Sequence, residues 1–183
     1  FFEFPLWSRP FYDALTSLPN RRLLHDRLRI AMAASARRNR QGALLFIDLD
    51  NFKTLNDTLG HQKGDLLLQQ VARRLSDCVR ERDTVARLGG DEFVVMLEDL
   101  GARKEDAASQ CRIVGEKILA VLNRPYDLGE HEYHNTPSVG VTLLDGAGQV
   151  LGPGGGGLGE LAQIRLDGLD PRLAECRIEV ACD

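Results

Sequence analysis

Two short stretches of this sequence bring acidic side chains to places where they could do chemistry. Asp48 and Asp50 alternate at the end of an apolar run, and Asp91 and Glu92 follow the paired glycines Gly89 and Gly90. If the two stretches are neighbours in the fold, several carboxylates converge on one edge, and such a cluster repels itself unless a cation is present. Hard oxygen donors of this kind suit Mg²⁺, which takes one or two carboxylates and completes its shell with substrate phosphates and water. Glycines beside the carboxylates let a backbone approach a phosphate closely. The pattern therefore points to metal-assisted phosphoryl or nucleotidyl transfer. Taken singly, each piece has a plainer reading: a Gly-Gly-Asp turn is an ordinary hairpin connection, and a lone aspartate can end a strand.

The elements that must position these residues can be read from periodicity. Residues 1–12 have no clear period and read as the remnant of a linker, and residues 13–20 carry turn formers. From Arg21 to about Arg38, Leu23, Leu24, Leu28, Ala31 and Met32 fall at helical spacing, and Gly42 is expected to end that helix. Ala43 to Leu49 is a continuous apolar run broken only by Asp48 and predicts a buried strand. Phe52 to Asn56 predicts one short helical turn, with Gly60 and Gly64 in a loop after it. Asp65 to Val79 predicts a helix. Thr84 to Leu88 and Glu92 to Leu97 predict a β-hairpin across Gly89-Gly90. Lys104 to Leu122 predicts a long helix, and Tyr126–Leu128 with Tyr133–Leu143 a further hairpin around Gly129. The order α, β, α, β-hairpin, α, β-hairpin implies an α+β fold, a mostly antiparallel central sheet flanked by helices.

Composition narrows the partners. The chain has 183 residues, enough for one domain plus an appendage, and 43% are hydrophobic, enough to bury a core. The net charge of −4 argues against nucleic acid as a partner, since duplex-binding domains are usually basic. No apolar run approaches the ~20 residues that span a membrane. Cys78, Cys111, Cys176 and Cys182 form no C-x-x-C pair, so they read as reduced thiols of a cytoplasmic protein. His131 and His134 would lie on opposite faces of a strand, a poor arrangement for shared metal binding. His61 is expected to contact backbone, and Trp7 has no assigned role.

The sequence RLGGDEF (87–93) resembles the signature of GGDEF domains. DALTSLPNRR (13–22) resembles the family's entry motif, LFIDLDNFKTLNDTLGHQKGD (45–65) its metal- and guanine-binding segment, and SVGVT (138–142) its last core strand. The resemblance spans residues 13 to about 143 and implies a diguanylate cyclase, which condenses two GTP into cyclic di-GMP across a homodimer. Two Mg²⁺ per active site are implied, with Mn²⁺ as a substitute. Carried over by position, Asp48 and Asp91 would be side-chain metal ligands, assisted by the Leu49 carbonyl. Asn56 and Asp65 would hydrogen-bond guanine; a carboxylate can accept from guanine's N1 and N2 donors. Phe52 and Lys53 would lie on the substrate side, Lys53 as a phosphate or structural cation. Glu92 would sit over the ribose and its 3′-hydroxyl or assist the metal, and Gly89 and Gly90 would leave room for the α-phosphate. Arg80 and Asp83 fit the family's R-x-x-D inhibitory site, where the product, cyclic di-GMP, would be gripped.

The resemblance stops near Leu144. The family continues into a helix like RADxAMYxAKxxGRN, whose lysine and arginine hold the triphosphate, and nothing here matches it. Gly146 to Gly159 holds eight glycines, and a stretch such as residues 153–157 reads as a flexible loop. Residues 145–183 resemble a fragment of bacterial glycerate kinase around LDGLDPRL and IEVACD, without a complete kinase site. Segment 160–166 could stand in for the missing helix but offers only Arg165 as a cation. The expected organisation is thus a linker remnant at 1–12, a GGDEF domain at 13–144 and a glycine-rich tail at 145–183. Two other readings follow from the missing helix: an inactive GGDEF module that binds GTP or cyclic di-GMP through the R-x-x-D site, or a non-functional chimaera.

Overall fold

The structure, a computed structural model, describes residues 10–130 and 132–144. Trp7, His131, Cys176, Cys182, Arg165 and the whole 145–183 segment lie outside the described residues, as does most of the 1–12 stretch.

The chain runs α1 (Arg21–Arg38), β1 (Gly42–Leu49), α2 (Phe52–Leu59), α3 (His61–Cys78), β2 (Thr84–Gly89), β3 (Glu92–Leu97), α4 (Lys104–Leu122), β4 (Tyr126–Asp127), β5 (Glu132–Tyr133) and β6 (Pro137–Leu144). Four strands form one antiparallel sheet in the order β2-β3-β1-β6. With α3 and α4 as crossovers this is a βαββαβ unit of ferredoxin-like type, preceded by α1. The expected α+β class, with a mostly antiparallel sheet flanked by helices, is what the chain adopts.

The alternation of side chains along β1 divides the core. Ala43, Leu45, Ile47 and Leu49 enter the larger cluster, with Phe93, Val95 and Leu97 of β3 and, from the helices, Leu67, Val71, Leu75 and Ile118. Leu44 faces the other way, into a smaller cluster with Val94, Met96 and Leu144 and with Leu24 and Ala31 of α1. β1 is therefore not buried on both faces, as a continuous apolar run suggests. Phe46 is 38% exposed, and Asp48 two residues on is exposed as well.

Several boundaries differ from expectation for local reasons. Asn20 caps α1, its Oδ1 accepting from the amides of Arg22 and Leu23 at 3.0 and 3.2 Å. The helix ends at Asn39 in the left-handed conformation, so Asn39, not Gly42, terminates it. α2 runs to Leu59, and α3 already begins at His61, placing Gly64 inside a helix instead of a loop. The second expected hairpin is two separate pairings. Tyr126 and Asp127 pair with Tyr133 and Glu132, whereas β6 leaves for the main sheet and pairs with β1. Pro137, opposite Leu49, takes the first position of β6, where a missing amide donor is tolerated.

Candidate functional site

The site grows from the sheet register. β1 and β3 are neighbours, and Asp48 lies directly opposite Glu92. The end of β1 therefore meets the β2–β3 turn, which carries Asp91. Although the residue as a whole is exposed, partial desolvation of its carboxyl raises the pKa of Asp48, and the charges of Asp91, Glu92 and Asp50 push it further up against a lowering hydrogen bond with the Leu49 backbone. An acid surrounded by acids favours its neutral form, and a cation at this edge would reverse that preference. Among the described residues no group of three or more His, Cys, Asp or Glu is arranged to hold a metal alone. Two carboxylates and a carbonyl are the incomplete donor set that an Mg²⁺-type ion completes with phosphate oxygens and water, so Asp48, Leu49 and Asp91 fit such an ion.

Asp50 adds its charge to this edge, but its carboxylate is already engaged. Its carboxylate accepts from Ser138 Oγ at 2.8 Å and Thr136 Oγ1 at 3.0 Å.

The turn itself depends on glycine. Gly89 has φ +147° and Gly90 φ +51°, values that L side chains rarely adopt, and a Cβ on either would meet nothing within 4 Å. The open space beside both is what an approaching phosphate requires. The turn is held by Arg87, whose Nε and Nη2 donate to the Gly90 carbonyl at 3.1 and 2.7 Å. Arg87 Nη1 is in turn paired with Asp13 at 2.9 Å. Asp13 also accepts from the Thr16 amide at 2.9 Å and the Thr16 hydroxyl at 2.6 Å. The early segment around Asp13 thus braces the turn, a role that motif matching did not supply because the partners are 74 residues apart.

That brace carries a pH signature. Burial would raise the pKa of Asp13, but the hydrogen bonds from Thr16 and the pairing with Arg87 outweigh it and leave it lowered. A carboxylate lowered by folding stabilises the fold above its unfolded pKa of about 4, and that stability is lost as pH falls through the folded value. The acid limb of the unfolding curve should therefore flatten in Asp13→Asn, measured by thermal denaturation from pH 7 down to pH 3.

The second half of the site lies on α2 and α3, which begin just beyond the end of β1. Asn56 Oδ1 is buried and has no hydrogen-bond partner among the described residues. A Cβ on Gly64 would stand 2.0 Å from Asn56 Oδ1 and 3.2 Å from Phe52 Cζ. Gly64 is therefore what lets the Asn56 amide occupy its place, and the exposed Asp65 follows directly on the same helix. Phe52 also packs against the main core, so it serves as a wall as much as a contact surface. Lys53 is exposed on α2. A buried, unpaired acceptor is costly unless a ligand donates to it.

Arg80 and Asp83 occupy the α3–β2 connection, at the opposite end of β2 from the Gly89-Gly90 turn. Six strand residues separate the two ends, roughly 20 Å. Arg80 is exposed. Asp83 accepts from the Arg80 amide at 3.0 Å and the Glu98 amide at 3.2 Å, so it fixes the connection. His61 is exposed at the start of α3, and His134 lies 3.5 Å from Glu132. Cys78 and Cys111 are free and buried. Among the described residues no helix is long and apolar enough to cross a membrane.

The family model described as "Diguanylate cyclase, GGDEF domain" matches residues 10–151, and the one described as "Glycerate kinase family" matches residues 136–183. The bifunctional diguanylate cyclase/cyclic di-GMP phosphodiesterase MucR of Pseudomonas aeruginosa is 46% identical over 138 residues, covering 75% of this chain and 19% of MucR. The solved GGDEF domain of TpbB from the same organism superposes with a TM-score of 0.66 at 41% identity, covering 72% of this chain and 74% of that one. The coiled coil and GGDEF domain of DgcB from Caulobacter crescentus, solved with c-di-GMP, gives a TM-score of 0.67 at 28% identity over 79% of this chain and 74% of that one. The chain spans less than a third of the curated sequences of MucR and TpbB, 19% and 29%.

Proposed function

Because the chain belongs to the diguanylate cyclase GGDEF family, we propose that it condenses two GTP into cyclic di-GMP with release of two pyrophosphates. The observation that carries this reading is the meeting of Asp48 with Asp91 and Glu92 at the sheet edge, beside the open space over Gly89 and Gly90. Asp48, Asp91 and the Leu49 carbonyl would hold divalent metal, two Mg²⁺ by family analogy, with Mn²⁺ as a substitute. When bound, the metal would supply charge neutralisation at the phosphates and a more acidic attacking hydroxyl. Asn56 Oδ1 would receive a donor from guanine, and the Asp65 carboxylate would accept from N1–H and N2–H. The Gly89-Gly90 turn, held by Arg87, would let the α-phosphate lie against the backbone. Glu92 would orient the ribose 3′-hydroxyl.

One chain holds one GTP, and the 3′-oxygen of each nucleotide must reach the α-phosphorus of the other. The reaction therefore requires a homodimer with the two carboxylate edges facing. Such a domain would act in the cytoplasm, where GTP and Mg²⁺ are abundant. Arg80 and Asp83 would bind the product as a feedback inhibitor, at a point separated from the chemistry by the length of β2. We take residues 13–144 as the GGDEF domain and 145–183 as an appended segment.

Incubation of the chain with GTP and Mg²⁺, followed by chromatography, should yield cyclic di-GMP, and ATP should yield no dimeric product. Asp65→Asn should lower kcat/KM for GTP by about tenfold or more, since a hydrogen bond from guanine to a charged acceptor is worth ~1.5–3 kcal/mol. If no product forms, and cyclic di-GMP instead binds in a way that Arg80→Ala abolishes, the chain is a binding module. Absence of both turnover and binding would mark a non-functional chimaera.

A further inference from the structure

Asp50 sits two residues from Asp48, yet its carboxylate is turned to β6. Ser138 Oγ donates to Oδ1 and Thr136 Oγ1 to Oδ2, so each oxygen of Asp50 has a hydroxyl partner. The backbone is tied in the same place: the Asp50 amide donates to the Thr136 carbonyl at 3.0 Å. The Asp50 carbonyl accepts from Asn135 Nδ2 at 2.7 Å, and Asn135 is only 4% exposed. Four hydrogen bonds thus clasp one residue to the segment entering β6. They act where the chain must leave the sheet, since Asn51 adopts a left-handed backbone at φ +59° immediately before α2.

We propose that Asp50 is a positioning residue for the metal site, acting with Thr136 and Ser138 to aim the Leu49 carbonyl and the Asp48 carboxylate. The inference rests on the metal-dependent reading above and deepens it. Leu49 lies between Asp48 and the clasped Asp50, so its carbonyl direction is set by the peptide planes on either side. Asp50 fixes the following plane through its amide and carbonyl, and the sheet fixes the preceding one through the pairing of Asp48 with Glu92 and Ser138. Loss of the hydroxyl donors would release the Asp50 carboxylate, loosen the clasp and misalign the Leu49 carbonyl. Groups that orient metal ligands in this way typically contribute about 10- to 100-fold to metal affinity or activity.

The test is direct Mn²⁺ binding, followed by electron paramagnetic resonance, in the presence of a GTP analogue that cannot react. The wild-type chain is compared with Thr136→Val/Ser138→Ala, with Thr136→Ser/Ser138→Thr and with Asp50→Asn, and each variant's unfolding temperature is recorded. The valine/alanine pair should weaken Mn²⁺ binding about tenfold, Asp50→Asn should weaken it to a similar degree, and the hydroxyl-retaining pair should restore it. Activity lost by the valine/alanine pair should return at high metal concentration, leaving kcat near wild type. Unchanged Mn²⁺ binding by the valine/alanine pair would overturn the inference, and so would tighter binding, which would show a freed Asp50 serving as a ligand itself. A drop in unfolding temperature with unchanged affinity would overturn it too, by reducing the clasp to a stabilising contact. Failure of the wild-type chain to bind Mn²⁺ would instead overturn the metal reading on which the inference depends.

Discussion

Asp48→Asn should lower cyclic di-GMP production by about a thousandfold while leaving the fold as stable as before or more so. The loss follows from the developing charge at the transferred phosphate: removing a side-chain ligand takes away several kcal/mol of transition-state stabilisation. The retained stability follows from the raised pKa of Asp48, caused by partial desolvation of its carboxyl and then by Asp91, Glu92 and Asp50. Asparagine keeps the shape and removes one charge from a self-repelling group. Chromatographic product analysis and thermal unfolding of the same preparation, both without and with Mg²⁺, check the two halves. The unfolding temperature of wild type should rise on adding Mg²⁺ and GTP, and that rise should be largely lost in the variant. A large fall in stability without metal would show that Asp48 holds the fold together and would remove the electrostatic argument for the site.

The second large effect lies in the core. Phe93 belongs to the motif but not to its chemistry: it is 1% exposed, opposite Ile47 of β1 in the main cluster. Phe93→Ala should destabilise the fold by ~3–5 kcal/mol through lost transfer energy and the cavity left behind. That is a large part of the 5–15 kcal/mol typical of a domain, and the unfolding temperature should fall by roughly 10 °C or more. Phe46→Ala is the internal comparison. Phe46 is a phenylalanine on the neighbouring strand, but at 38% exposure it has much less area to lose, so its effect should be clearly smaller. Equal effects in denaturant unfolding would mean that the two faces of the sheet are equally covered.

What the sequence made legible was whatever depends on neighbours in the chain. The apolar run before Asp48 located β1, and Gly89-Gly90 between two apolar stretches located the β2–β3 hairpin to within a residue. The long helix from Lys104 to Leu122 was also readable from its period. What failed depends on partners far away. Tyr133 to Leu143 reads as one strand, yet Tyr133 pairs with Tyr126 while β6 is claimed by β1. Gly64 reads as a loop glycine, but tertiary contact is its reason: it lies inside a helix, and it is glycine because Asn56 and Phe52 occupy the space a Cβ would need. Asp50 reads as one of a converging set of acids, and only the fold reveals two hydroxyls already waiting for it. Asp13 and Arg87 likewise find each other only through folding.

The fit between Gly64 and Asn56 also constrains how this protein could change over generations. Every other amino acid carries a Cβ, so the first step of any drift at position 64 meets the Asn56 amide at 2.0 Å. No neutral intermediate leads away from glycine while Asn56 keeps its place. On the proposed contact of Asn56 with guanine, selection on the choice of nucleotide would be felt at a residue that has no side chain to touch one, and a lineage that abandoned guanine would be free to lose both residues together.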